Sequence, residues 1–394
     1  MKLLLIYPRW RKLERQTAFN LPPHGPIVFA ATVPPDVEIQ LIDENVERID
    51  LDASADLVAI SMMLTIQVRR GWEIADAFRE RGIPVIFGGI ATMLHAEETR
   101  AHADSVFLGE AEGRFGQVIE DLKAGELKAV YDYLTDPPPI ESVGTARRDI
   151  LDPRHYTYGG VKMVDLVHAS RGCRFDCYPC CVAFLGGRRF RPRPFERVVA
   201  EIESIDNERL FLVDNSLAQD TAWELGLFEA IAPLGKRWVS HPIENRDHVV
   251  KAAADAGCWY VYQAIYDTSD HLREKVKRLK DHGIGVEGTI VLGMDDHTEH
   301  SIKTLVDFLL EIELDLAEFT ILTPFPQTQA YRDLEAQKRI LTYDWDQYTA
   351  DRVVFQPNNL TVDDLQELYY YAWDTFYRDE AQRFKMYKLF KRIS

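Results

Sequence analysis

The sequence predicts an α/β protein. A flavodoxin-like, doubly wound (Rossmann-like) sheet comes first, then a partial (βα)6 barrel of the TIM type, then a small helical C-terminal segment. Three observations predict it. Short apolar runs alternate with helix-spaced stretches over residues 1–116, and a longer alternating series follows the middle of the chain. Between the two lies a proline-rich connector, DPPPIESVG, which suits neither a helix interior nor a central strand. The boundaries expected from these shifts are 1–125, 126–160, 161–330 and 331–394.

In the first series the strands are KLLLIYP, VEIQLID, ADLVAISM, IPVIFGG and DSVFLGE. VRRGWEIADAFRERG, between the third and fourth, has apolar residues at helical spacing and a terminal glycine. Five strands joined by such helices make parallel βαβ units, whose ligands bind beyond the carboxyl ends of the strands. Pro8, Asp43, Ser61, Gly88, Gly89, Gly109 and Glu110 would line that edge.

The second series has six strands, VDLVHAS, RLFLVDN, KRWVSHP, WYVYQAI, VEGTIVLG and AEFTILTP. Five helices separate them: PFERVVAEIESI, TAWELGLFEAIAPLG, RDHVVKAAADAG, LREKVKRLKDHG and EHSIKTLVDFLLEI. That is too many units for one short open sheet and too few for an eight-fold barrel, so a partial barrel fits. The remainder is aromatic-rich and largely helical. Tyr369, Tyr370, Tyr371, Trp373, Phe376 and Tyr377 read either as helix packing or as a cap over an apolar pocket.

With 394 residues and a net charge of −17, the chain lacks the basic surface that non-specific nucleic-acid binding needs. The tail RFKMYKLFKRIS is a local basic exception, read as a solvated or docking helix, with membrane-surface or acidic-partner binding as the alternative. There is no apolar run of about 18 residues to span a membrane. The opening MKLLLIYPRWRK lacks the order of a signal peptide and reads as a first strand. A cytoplasmic location is expected.

Four of the five cysteines crowd into RGCRFDCYPCC, Arg171 to Cys181, directly after the first barrel strand. That places them at the barrel edge where such folds keep their chemistry. Cys258, in AGCWYVY, reads as a small buried hydrophobe. Cys173, Cys177 and Cys180 supply three thiolates from one tight loop, which leaves one iron of a cubane open to another ligand. Zinc, with Cys181 as a crowded fourth ligand, and a Cys177/Cys180 dithiol pair are the alternatives.

CRFDCYPC after a first barrel strand resembles the cluster loop of radical S-adenosylmethionine (SAM) enzymes. LIDEN, ADLVAISMMLT, VIFGGIATMLHAEE and DSVFLGEAEGRF resemble the cobalamin-binding domain carried by one branch of that family. VEGTIVLGMDDHT and DRVVFQPNNLTVDDLQELYYYAW resemble its fifth barrel strand and C-terminal segment, so the likeness covers nearly the whole chain. The resemblance implies a 4Fe–4S cluster on Cys173, Cys177 and Cys180, with SAM chelated to the open iron. It implies SAM contacts from Tyr178, Asp214, Asn215, Gln263, Glu287 and Gly288. Asp43, Ser61, Thr65, Gly88, Gly89, Gly109 and Glu110 would contact cobalamin.

Three departures stand out. Pro179 takes the place of the aromatic before the third cysteine, and the aromatic is Tyr178. After the fourth strand, QAIYDTSD runs almost directly into a helix, which leaves Tyr266 and Asp267 as catalytic candidates or an ordinary turn. There is no Asp-x-His-x-x-Gly to place a histidine under cobalt, and His24 and His95 read as lone histidines.

The expected activity is cobalamin-dependent methylation of an unactivated carbon in a small molecule, with a flavodoxin- or ferredoxin-type reductant. The alternatives are radical rearrangement, cyclisation or oxidation with a cobalamin-free first domain, or a non-catalytic zinc- or cobalamin-binding protein.

Overall fold

The computed structural model describes residues 1–15, 20–158, 161–186, 188–383 and 385. Most of the basic tail therefore lies outside the described residues. The first sheet contains β1 (Lys2–Tyr7), β2 (Glu38–Asp43), β3 (Leu57–Ser61), β4 (Val85–Gly88), β5 (Ser105–Leu108) and β6 (Val130–Asp132). They pair in the order β2-β1-β3-β4-β5-β6, all parallel. β6 was not expected from the sequence. It is a three-residue edge strand, too short for its pattern to stand out from a loop.

The near-continuous apolar strands are those of a sheet covered on both faces. Leu3, Leu5, Ala59, Ile86 and Phe107 are buried with α1 (His24–Ala30) and α5 (Phe115–Ala124). Leu4, Ile6, Val58, Ile60 and Phe87 are buried with Ile74, Ala75 and Phe78 of α2 (Val68–Glu80). Two short helices, α3 (Ile90–Leu94) and α4 (Ala96–Thr99), follow β4.

A small antiparallel pair, β7 (Thr157–Tyr158) and β8 (Val161–Lys162), leads into the second sheet. Its first strand is β9 (Asp165–Val167). Then come a two-residue antiparallel pair, β10 (Ser170–Arg171) and β11 (Arg191–Pro192), and the helix α6 (Val182–Gly186) between them. β12 (Arg209–Leu212), β13 (Arg237–Ser240), β14 (Cys258–Ala264), β15 (Gly285–Leu292) and β16 (Leu316–Ile321) complete an open parallel sheet with β9 at one edge. The helices α7 (Phe195–Glu203), α8 (Thr221–Ile231), α9 (Asp247–Asp255), α10 (Asp270–Asp281) and α11 (Glu299–Glu311) alternate with these strands. The six strands and five helices match the expected partial barrel.

Strand alternation sorts the barrel residues into two faces. Val167, Leu212, Trp238, Val261, Val286, Ile290 and Phe319 belong to the large core shared with the helices. Val239, Tyr260 and Leu316 form a smaller cluster with Phe211, Tyr262 and Tyr377 on the inner face.

Beyond the barrel lie α12 (Gln329–Ala336), α13 (Val362–Phe376) and α14 (Glu380–Arg383). Tyr369, Trp373 and Phe376 are core residues, and the Trp373 indole donates to the Phe319 carbonyl at 3.2 Å, so helix packing holds for them rather than a pocket cap. The stretch between α12 and α13 is not helical. It forms a bridge between Ile340 and Phe355 and one short turn at Trp345–Gln347. Trp345, Tyr348 and Val354 are buried in the core of the first sheet, so the segment returns to the start of the chain.

Candidate functional site: the cysteine loop and the first-sheet edge

β9 ends at Val167, and the chain turns through His168, Ala169 and Ser170 into the cysteine loop. Asp214, just past β12, holds that turn. Its carboxylate accepts from the Ala169 amide at 2.9 Å and from the Ser170 hydroxyl. Burial outweighs these hydrogen bonds and pushes the carboxyl up to about 6. Asp214, expected as a SAM contact, therefore braces the loop from beneath. Asn215 beside it is exposed, with its amide 3.4 Å from the Gly172 carbonyl.

Cys173 is buried, Cys177 and Cys180 are exposed, and Cys181 is half-buried. The Gln219 side-chain amide lies 3.1 Å from the Cys173 sulfur and donates to it, while the Gln219 carbonyl accepts from the Arg174 amide at 3.0 Å. The Val182 amide lies 3.5 Å from the Cys180 sulfur. Burial, then the nearby Cys180, Cys173 and Asp176, raise the Cys177 thiol above its ordinary value. The same burial raises Cys180 and takes Cys181 to about 11.

Among the described residues, no three His, Cys, Asp or Glu side chains converge as the ligands of one ion would. A cubane takes each thiolate on a separate iron. Three sulfurs on one loop, two of them exposed and two with amide donors nearby, fit a cluster of that kind.

The other SAM candidates divide. Tyr178 is exposed on the loop itself. Gln263 is registered with Gly288 and lies on the Val261 and Ile265 side of β14, facing the helices. A Cβ at Gly288 would sit 2.8 Å from both Ile265 and Leu314, so that glycine leaves room for the side chains packed on this strand. Glu287 faces inward near the start of β15, where it accepts from Tyr260 at 2.7 Å and burial raises it to about 7. Gln263 and Gly288 thus do not line the inner face, and Glu287 lies deep beneath the mouth. Tyr266 is 78% exposed at the rim. The Asp267 carboxylate caps the Ser269 amide at 2.9 Å, an ordinary Asx turn before α10.

At the carboxyl edge of the first sheet, most expected contacts are already engaged. Asp43 is buried and accepts from the Asn45 amide at 3.0 Å and from Tyr156 at 3.2 Å. Thr65 is buried 3.2 Å from His95, which also meets Glu98, and Glu98 accepts from the Trp345 indole at 2.9 Å. A Cβ at Gly89 would lie 2.5 Å from the Met62 carbonyl, and one at Gly109 would lie 2.7 Å from the Tyr133 backbone. Both glycines are needed by the chain's own turns. Glu110 is paired with Arg171 and Arg191. Ser61 and Gly88, registered side by side, remain partly open, and a Cβ at Gly88 would meet nothing within 4 Å. Exposed Met63 and Ile90 stand close by in sequence.

Several residues that hold this site were not singled out in the sequence. Gln219, Glu112, Arg171, Arg191, Gln67 and Trp345 act through partners distant along the chain, and no local motif marks them. Gln67 accepts from the Met63 and Leu64 amides at 2.8 and 2.9 Å and donates to the Pro8 carbonyl, shaping the turn after β3. His24 lies 2.9 Å from His168 across the junction of the two sheets, so it is not a lone surface histidine.

No family model matches the chain. It is 26% identical over 361 residues to a bacteriochlorophyllide d C-8(2)-methyltransferase of Chlorobaculum tepidum, covering 84% of this chain and 79% of the relative. It is 22% identical over 386 residues to a hopanoid C-2 methylase of Rhodopseudomonas palustris, covering 86% and 71%. In structure it resembles the radical SAM methyltransferase TsrM of Kitasatospora setae with a TM-score of 0.66 and 18% identity, covering 85% of this chain and 76% of that one. That likeness shows a shared fold. No helix among the described residues is long and apolar enough to cross a membrane. With sequence similarity along most of its length, a shared fold and a three-cysteine loop after the first barrel strand, the chain is similar to these methyltransferases and shares the fold of a radical SAM methyltransferase.

Proposed function

We propose that the protein is a cobalamin-dependent radical SAM methyltransferase acting on an unactivated carbon of a small molecule. The observation that carries this reading is the cysteine loop, which stands at the carboxyl ends of the barrel strands and is fastened to the carboxyl edge of the first sheet. The methyltransferase names of the relatives support it.

When bound, the cluster would supply the electron that splits SAM into methionine and a 5′-deoxyadenosyl radical, and cobalamin would supply the methyl group. The chain's part is to hold, orient and shield. Cys173, Cys177 and Cys180 would carry the cluster, and the Gln219 amide would stabilise negative charge on the Cys173 sulfur. Asp214 would fasten the strand exit through the Ala169 amide and the Ser170 hydroxyl. Tyr178 and Asn215, both exposed, would meet SAM. Ser61, Gly88, Met63 and Ile90 would offer cobalamin a flat, weakly polar surface at the first-sheet edge. A reductant of the flavodoxin or ferredoxin type would deliver the electron.

Anaerobic metal analysis of protein made with cobalamin present tests this. About four irons, about four sulfides and one cobalt per chain are expected, with 5′-deoxyadenosine released on adding reductant and SAM. One zinc per chain without sulfide would overturn it. A second reading has one observation in its favour. Five of the seven expected cobalamin contacts are engaged within the protein, which suits a first domain that serves only as a scaffold. Iron without cobalt would select that reading and point to radical rearrangement, cyclisation or oxidation.

A further inference from the structure

The cysteine loop is closed at its base by β10 and β11, in which Arg171 and Arg191 stand directly opposite each other. The two arms approach so closely that a Cβ at Gly172, where φ is +76°, would meet the Arg189 carbonyl at 2.0 Å. Two like charges facing across an antiparallel pair push the strands apart. Here the repulsion is weakly screened, because both side chains are largely buried, with 18% and 15% exposure.

One carboxylate resolves this conflict, and it comes from the other sheet. Glu110, just past β5, accepts from Arg171 at 2.8 Å with one oxygen and from Arg191 with the other. Glu112 takes the second arm of the Arg171 fork, and Arg191 also donates to the Pro138 carbonyl at 3.2 Å. Charge-assisted bonds of this kind are short and directional. Glu110 is thereby withdrawn from ligand binding and given to the loop.

We propose that Glu110 is a positioning residue: by bridging Arg171 and Arg191 it closes the base of the cysteine loop and fixes that loop to the carboxyl edge of the first sheet. What the loop carries rests on the function proposed above; the closure itself does not.

Hydrogen–deuterium exchange on the metal-free protein tests the closure without any cofactor. In Glu110→Gln, exchange across residues 169–173 and 189–193 is expected to rise about tenfold or more, with β1, β3 and β4 unchanged. In the double variant Glu110→Gln with Arg191→Gln the opposed charge is gone, and exchange there should return to within about threefold of the wild type. A merely structural glutamate would show no such rescue. Arg191→Gln alone leaves Arg171 paired with both glutamates and should keep the base closed, which also serves if Glu110→Gln does not fold. The proposal is overturned if Glu110→Gln exchanges like the wild type, if the double variant is as open as the single one, or if Arg191→Gln alone opens the base. Absence of iron and cobalt from the wild-type protein would count against the proposed function and leave these outcomes readable.

Discussion

The two strand-end edges of the molecule treat their functional-looking residues in opposite ways. At the first-sheet edge the polar side chains turn inward: Asp43 to Asn45 and Tyr156, Thr65 to His95, Glu110 to two arginines. What remains open is Ser61, a glycine and apolar side chains. At the barrel mouth the reactive groups turn outward, with Cys177 and Cys180 exposed, while the polar residues beneath them, Asp214 and Gln219, brace the loop. The first edge suits a ligand held by shape, and the second a ligand held by bonds to sulfur. Polar residues at a strand end thus say little until their partners are known.

The largest effect that would sharpen this contrast is at the sulfurs. Alanine at Cys173, Cys177 or Cys180 should abolish bound iron and lower SAM cleavage by about 100-fold or more. Cys181→Ala should stay within about twofold. Full cleavage by any one of the first three would remove that residue from the ligand set.

At the other edge, Gly88→Leu starts a side chain where a Cβ would meet nothing within 4 Å. It should weaken cobalamin retention about tenfold while leaving iron content unchanged, as shape-based binding requires. Equal retention by variant and wild type would show that the ligand does not use this surface.

Asp214 tests the brace through pH. Its folded value of about 6 lies above the unfolded 3.8, so the native state binds the proton more tightly. Its favourable contribution is complete below about pH 4 and is lost as pH rises through about 6. Denaturant unfolding should show the wild type losing on the order of 2–3 kcal/mol across that window relative to Asp214→Asn, with no further change above it. Parallel pH profiles for the two proteins would remove the buried carboxyl from the account.

Two smaller effects separate packing from function. Gly288→Ala must displace both Ile265 and Leu314, and should cost about 1–3 kcal/mol of stability with cleavage per folded molecule unchanged. Trp345→Phe deletes the indole bond to Glu98, and about 1 kcal/mol should be lost in thermal unfolding. A drop in cleavage by folded Gly288→Ala would return that strand to the SAM site.

Much of this was legible along the chain. All six barrel strands and their five helices were visible because each is one apolar run or one amphipathic period, and so were five strands of the first sheet. The cysteine loop was visible because three thiolates in eight residues have few other uses. β6 escaped because three edge residues carry no period, and the return of residues 337–361 escaped because Trp345 reaches Glu98 across 247 positions.

The sequence by itself determined the order of elements, the two parallel sheets, the family likeness and the place of the cysteine loop, all of which depend on neighbours within a turn or a strand. Only the tertiary structure decided which strand-end residues are free. Asp43 meets Tyr156 across 113 positions, Asp214 meets Ala169 across 45, and Glu110 meets Arg171 and Arg191 across 61 and 81. A buried polar group must find a partner, and the partner is chosen by where the chain packs rather than by what lies next to it.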